Sequence, residues 1–338
     1  MPGPGPAGLD PAALQKFFDR AVPGAGTVSA ELLHGGRSNL TYRVTDGVSS
    51  WVLRRPPLGG LTPSAHDMTR EFRVVEALQG SGVPVAPAIA LEEDTSVLGA
   101  PFAVVGHVDG TVLRTQDDLA AFSDDDITRC AYRLIDVLAR LHSVDVREAG
   151  LSGFGRPQGY LTRQLRRWHD QWTRVGTRAL PGLDVLHSRL VEIRPEESGA
   201  SIVHGDYRID NAILDPRDPA VVLALVDWEM ATLGDPLADL GLHLAYSDPA
   251  FDPVLGGAAA STSTRLPPAA DLVARYAETS GRPVVNLPFY RGFGYFKAAV
   301  IAEGIHARYR QGLTVGEGFE TVGAAVPRLV EAGLAVVR

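Results

Sequence analysis

Near residue 110 the spacing of apolar residues changes period, and this change constrains the fold more than any other feature of the chain. Before it, short β-rich runs alternate with turns. Val28 to His34 leads into GGRSN, LTYRV follows, and SWVLR ends at Arg54; Asp46-Gly47 between the last two runs predicts a hairpin. Ala88 to Glu92 and Phe102 to His107 predict two more strands around a turn at Asp94 to Gly99. One helix is inserted, from Ala65 to Gln79, where Met68, Phe72, Val75 and Leu78 recur three and four residues apart. Another, Pro11 to Val22, opens at Asp10 with proline in its first turn. After Asp109-Gly110 the period is helical. Ser123 caps a helix with Asp124 to Asp126 in its first turn, and Ile127, Ala131, Leu134, Leu138 and Leu141 line its inner face. Further helices are expected at 158–175, 183–193, 236–246, 269–280, 287–311 and 319–334. Between them lies one β segment: Ala212 to Leu214, the turn DPRDP, then Val221 to Val226. The expected class is α+β and bilobal, with an antiparallel β-rich N-lobe over 1–107, a helical C-lobe over 108–338 and a hinge near 106–110.

Composition narrows the function. With 338 residues, 45% hydrophobic and 21% charged, the chain can bury a core. Its net charge of −8, without a basic stripe, argues against nucleic acid and anionic membranes as partners. The single cysteine, Cys130, allows no intrachain disulfide and falls on the inner face of its helix. MPGPGPAGLD has neither the basic nor the apolar part of a secretory leader, and no run of ~18 apolar residues is long enough to span a bilayer. A cytoplasmic soluble protein is expected, which makes the sequon at Asn39 coincidental. Lysine occurs only at Lys16 and Lys297, so a cation needed elsewhere must be arginine or protonated histidine.

The chemistry concentrates in HGDYRIDN, His204 to Asn211, and in DWE, Asp227 to Glu229. A phosphoryl transferase needs a group that orients the acceptor hydroxyl and takes its proton late, and magnesium to offset phosphate charge. His204, Asp206 and Asn211 fit the kinase spacing H-x-D-x-x-x-x-N, followed by an apolar hairpin and Asp227. Asp206 is the candidate base. Asn211 and Asp227, at the two ends of the hairpin, are candidate magnesium ligands, since an amide oxygen and a carboxylate suit a hard cation. His204 is expected to brace the loop, and Asp235 and Asp239 to hold backbone. Glu229 could touch a second metal or a neighbouring arginine. Gly35, Gly36, Arg37, Ser38 and Asn39 form a turn whose backbone N–H groups could cover phosphates, with donors added by Ser38 and Asn39. A plain hairpin turn has the same look. Arg54 ends its strand ahead of a helix carrying Glu71, the order in which kinases place a phosphate-contacting cation and its helix glutamate; a plain surface ion pair is the alternative. Arg55 competes for the role, but strand alternation points it to the opposite face.

Taken together, HGDYRIDN, VDWEMATLGDPLADL, GGRSN and LARLHSVD resemble the aminoglycoside phosphotransferase-like kinases, relatives of choline kinases and protein kinases. The resemblance runs from about Leu32 to Arg310. VLRRPP, REFRVVEAL, TSVLGAPFAVVGHVDG and FYRGFGYFKAAVIAEGIHARYRQG look most like the kinase-like domain fused to some acyl-CoA dehydrogenases, which also carries arginine where other kinases have lysine. The resemblance implies a protein-kinase-like fold, with ATP and Mg2+ as cofactors and Asp206 as catalytic base. Arg54 and Glu71 would position phosphates, and adenine would hang from the backbone of Gly106, His107 and Val108. Gly106 departs from relatives that have an acidic residue there. Trp168 and Trp172, four apart on one helix, fit either a substrate pocket or the core. The implied acceptor is a hydroxyl, either of a hydroxyacyl thioester or of an aminoglycoside. The competing reading is a nucleotide-binding pseudokinase that regulates without turnover.

Overall fold

A computed structural model describes residues 6–33, 39–58, 67–314 and 318–338. The chain divides into two compact units, Met1–Asp109 with Leu223–Glu229, and Gly110–Val222 with Met230–Arg338.

In the first unit, α1 (Pro11–Ala21) is capped by Asp10, whose carboxylate accepts the Ala12 N–H at 2.8 Å. β1 (Ser29–Leu32), β2 (Leu40–Thr45) and β3 (Ser50–Arg55) follow. The hairpin joining β2 to β3 turns at Asp46-Gly47, where Asp46 Oδ1 accepts the N–H groups of Val48 and Ser49 at 2.9 and 2.7 Å. Next come α2 (Met68–Ala77), β4 (Ala88–Glu92), the short α3 (Thr95–Leu98) and β5 (Phe102–Gly106). The five strands form one antiparallel sheet in the order β1-β2-β3-β5-β4, with one longer helix between β3 and β4. Alternation along β3 sends Trp51 and Leu53 into a core with Phe17 and Phe18 of α1. Arg55 shares that parity: it is buried and donates to the carbonyls of Leu98, at 2.8 Å, and Gly8. Arg54 takes the opposite parity. Helix α2 is capped by Asp67, whose carboxylate accepts the Arg70 N–H at 3.0 Å; Ala65, where the sequence places the start of this helix, lies outside the described residues.

The second unit opens with α4 (Asp124–Ser143). Ser123 and Asp126 form a reciprocal capping box, which accounts for the acidic run as a helix start. Then follow α5 (Tyr160–Val175), α6 (Pro181–Glu192), β6 (Ser201–Val203), β7 (Ala212–Leu214), β8 (Val222–Leu225, which leads into the first unit) and β9 (Thr232–Gly234). The chain ends through α7 (Pro236–Ala245), α8 (Asp252–Leu255), α9 (Ala269–Ser280), α10 (Leu287–Arg310) and α11 (Val322–Val336). Helix α10 is central, packing against α5, α6, α7 and α11. Its approach to α7 is close enough that a Cβ on Gly241 would lie 2.6 Å from the Tyr290 Cβ. The sequence predicts one β segment here; the structure adds an antiparallel pair, β6 with β9, each three residues long. Such short runs carry too little alternation to register as strands. Among the described residues no helix is long and apolar enough to cross a membrane.

Candidate active site

Strand β6 delivers the chain into HGDYRIDN, and the loop is fixed chiefly through its backbone. Asp239, 2% exposed on the first turn of α7, accepts the N–H of His204 at 2.6 Å and that of Gly205 at 2.8 Å. Gly205 has φ +83°, and a Cβ there would lie 2.7 Å from the Met230 carbonyl, so glycine is required. The buried His204 ring accepts the Asp206 N–H on Nδ1 at 3.3 Å. Tyr207 donates its hydroxyl to the Leu134 carbonyl at 2.7 Å and so anchors the far side of the loop to α4. Behind Asp239 stands His142, with Nε2 3.4 Å from the carboxylate and Nδ1 2.7 Å from the Tyr276 hydroxyl. Burial pushes the Asp239 carboxyl up, but the His142 hydrogen bond, the neighbouring His142 and His204 rings and the Gly205 N–H outweigh it and hold it below the usual range.

Asp206 is held from three sides. Tyr246 donates its hydroxyl to Oδ1, Arg208 Nε lies 3.2 Å from Oδ2, and Asn211 Nδ2 lies 3.2 Å from Oδ2. Burial pushes this carboxyl up. Arg208, the Tyr246 hydroxyl, Lys297 and His204 oppose it and bring the pKa down to about 2. Asp206 is therefore ionised at neutral pH. A carboxylate has about four lone-pair directions, so an acceptor hydroxyl can still donate to it. Asn211 also donates to the Asp206 carbonyl at 2.8 Å. Both amide hydrogens thus face Asp206, which leaves the amide oxygen as the atom suited to a cation.

The first unit assembles a second cluster. Arg54 Nη1 lies 2.5 Å from Glu71 Oε1, and Arg54 Nη2 lies 3.2 Å from Asp227 Oδ1. Burial opposes the Arg54 charge, but Glu71, Asp227 and Glu229 outweigh it and raise its pKa. For Glu71 burial is the stronger influence and pushes the carboxyl up against the pull of Arg54. Arg54 Nε and Glu71 Oε2 are buried without hydrogen-bond partners among the described residues. Asp227 reaches this cluster with φ +66°, a left-handed conformation shared among described non-glycine residues only with Asn286. The segment carrying it is pinned by the Leu225 N–H, which donates to the Pro84 carbonyl at 2.8 Å.

Gly35, Gly36, Arg37 and Ser38 lie outside the described residues. Asn39 is buried and its amide Nδ2 lies 3.5 Å from Glu229 Oε2. Gly106 and His107 commit their N–H groups to the carbonyls of Pro87 and Ser50, at 2.8 and 3.1 Å, so neither N–H is offered to a ligand. Val108 follows them. Asn211 belongs to the second unit and Asp227 to the first. Among the described residues no cluster of three or more His, Cys, Asp or Glu is arranged to hold a metal. Taken singly, the Asn211 amide oxygen and the Asp227 carboxylate are oxygen donors of the kind that suits a hard cation. Trp168 and Trp172 are both buried in the helical unit. The sequence reading did not single out Tyr246 or Arg208 as partners of Asp206. Arg208 stood inside the quoted motif, two residues from Asp206; nothing local marks Tyr246.

Residues 29–273 match the family described as "APH: Phosphotransferase enzyme family". Acyl-CoA dehydrogenase family member 11 of Gallus gallus is 35% identical over 96% of this chain, which spans only 43% of that relative. The crystal structure of a candidate aminoglycoside phosphotransferase from Ralstonia eutropha is 34% identical, with TM-score 0.83, covering 97% of this chain and 98% of that one. A thermostable mutant of an aminoglycoside phosphotransferase, in ternary complex with ADP and hygromycin B, shares the fold at TM-score 0.63 and 16% identity, over 96% of this chain and 98% of that one. The chain belongs to the APH phosphotransferase family, with its five-stranded antiparallel N-terminal sheet followed by a mostly helical part.

Proposed function

We propose that this chain is an ATP-dependent, magnesium-using kinase that phosphorylates the hydroxyl of a small organic molecule, with a hydroxyacyl thioester as the favoured acceptor. The observation that carries the reading is Asp206, ionised and held by Tyr246, Arg208 and Asn211 in a loop of kinase spacing. In this reading residues 1–107 form the phosphate-binding lobe and 108–338 carry the catalytic loop and substrate pocket. Arg54, braced by Glu71, binds nucleotide phosphates, the turn Gly35 to Asn39 covers them, and the backbone around Val108 takes the adenine. The Asn211 amide oxygen and Asp227 would hold magnesium, which supplies positive charge against the phosphates.

Asp206 accepts a hydrogen bond from the acceptor hydroxyl and aims its oxygen at the γ-phosphorus. As the new O–P bond forms and the bond to the bridging oxygen of ADP breaks, the hydroxyl proton becomes acidic and passes to Asp206. A carboxylate this weakly basic takes the proton late, so positioning is its larger contribution. The acceptor preference is supported by an apolar recess beside Tyr246 and Arg208, walled by Leu134, Ile209, Leu244 and Leu272, with no carboxylate among the described residues that line it. A polycationic aminoglycoside would need carboxylates around it. The test is ADP release by purified chain with Mg2+ and ATP against hydroxyacyl-CoA thioesters and kanamycin-type compounds. Turnover is expected with the thioesters; efficient turnover with aminoglycosides alone would overturn the acceptor assignment. ATP binding without turnover on any alcohol would favour the regulator reading.

A further inference from the structure

Lysine is scarce in this chain, and one of its two lysines is buried beside the acidic loop. Lys297 projects from α10, is 8% exposed, and donates its ammonium to the Gly205 carbonyl. The Trp168 ring of α5 lies on another side, 5.6 Å from Nζ to the ring centroid. A buried ammonium is costly, and in a helix core an apolar side chain of the same length would often be at least as stable. Its presence therefore calls for a use.

The atom it holds suggests the use. The Gly205 carbonyl and the Asp206 N–H belong to one peptide plane. Lys297 takes the carbonyl, and the His204 ring takes the N–H at 3.3 Å. Upstream, Asp239 takes the Gly205 N–H at 2.8 Å. The plane from which the Asp206 side chain springs is thus gripped at both ends. We propose that Lys297 is a positioning residue for phosphoryl transfer, fixing the Gly205–Asp206 peptide so that the Asp206 carboxylate is presented in one orientation. It acts through the backbone and needs no contact with substrate. Arginine would fill the place poorly, because its planar fork is wider than an ammonium and its donors point along fixed directions. Burial lowers the ammonium pKa, while the carboxylates of Asp206 and Asp239 work against that.

This inference rests on the kinase reading of Asp206, and its test separates the two. Lys297→Met and Lys297→Arg would be compared with wild type by thermal unfolding, by hydrogen exchange at the Asp206 amide, and by ATP hydrolysis with Mg2+. Lys297→Met is expected to fold with a melting temperature at or above wild type, yet to exchange the Asp206 amide about tenfold faster or more. Its kcat should fall by about tenfold or more with KM for ATP unchanged, and Lys297→Arg should recover part of that loss. A Lys297→Met protein whose exchange at Asp206 matches wild type would overturn the proposal. So would an activity loss that merely follows a loss of folded protein. If wild type turns over ATP neither alone nor with any of the alcohols named above, the kinase reading falls; the exchange result alone then decides whether Lys297 fixes the peptide.

Discussion

The Arg54 cluster and the Asp206 loop both gather buried charge, but they are built from different parts. Arg54, Glu71 and Asp227 meet side chain to side chain, with two of them on a regular strand and a regular helix. Asp206 sits in a loop whose shape depends on side chains gripping its main chain: Asp239 on two N–H groups, Lys297 on a carbonyl, Asn211 on another. Removing a member of the first cluster should therefore remove an interaction while leaving the fold. Removing a support of the second should disturb a conformation.

The sharpest way to separate the two clusters is to change charge without shape. Asp206→Asn should lower kcat by about 10²-fold or more, with ATP binding retained and stability little altered. Equal kcat in the variant, measured with any acceptor that wild type uses, would remove Asp206 from the chemistry.

Asp239→Ala should act mainly on stability. It leaves two buried N–H groups and His142 without their acceptor, a loss of about 3 kcal/mol, measurable by denaturant unfolding. The milder Asp239→Asn carries a pH signature. Since the folded Asp239 carboxyl is held below its usual range, its contribution is present above the unfolded value of about 4 and fades as pH falls through the lower folded value. Asp239→Asn should lack that acid-side loss. A variant as stable as wild type near pH 7 would mean the loop does not depend on this clamp.

The smallest effect is expected at Arg54. Arg54→Ala should raise KM for ATP by about tenfold, and Arg54→Lys should restore part of it, because a point charge replaces a fork. Unchanged ATP kinetics in Arg54→Ala would reduce the cluster to a structural ion pair.

The same contrast explains how much could be read in advance. Strand alternation alone separates Arg54 from Arg55, and helical spacing places Glu71 on α2; both rules act over a few residues. The five-stranded sheet was legible for the same reason, since its alternating runs and Asp-Gly turn are local signals. HGDYRIDN was legible as a motif, but its supports were not. Tyr246 and Lys297 lie far along the chain from Asp206, and nothing in their local sequence marks them. Their role exists only once α7 and α10 have packed. The pair β6–β9 was missed on similar grounds: three residues show no period, and only the partner strand makes them a sheet.

The scarcity of lysine has a practical consequence. A protease that cuts only after lysine has two possible sites, one exposed on α1 and one buried within α10. Cleavage after Lys16 needs at most local fraying of a surface helix, whereas cleavage after Lys297 requires the centre of the helical unit to open. Appearance of the fragment beginning at Ala298 would therefore time the opening of that unit, with no label or inserted probe.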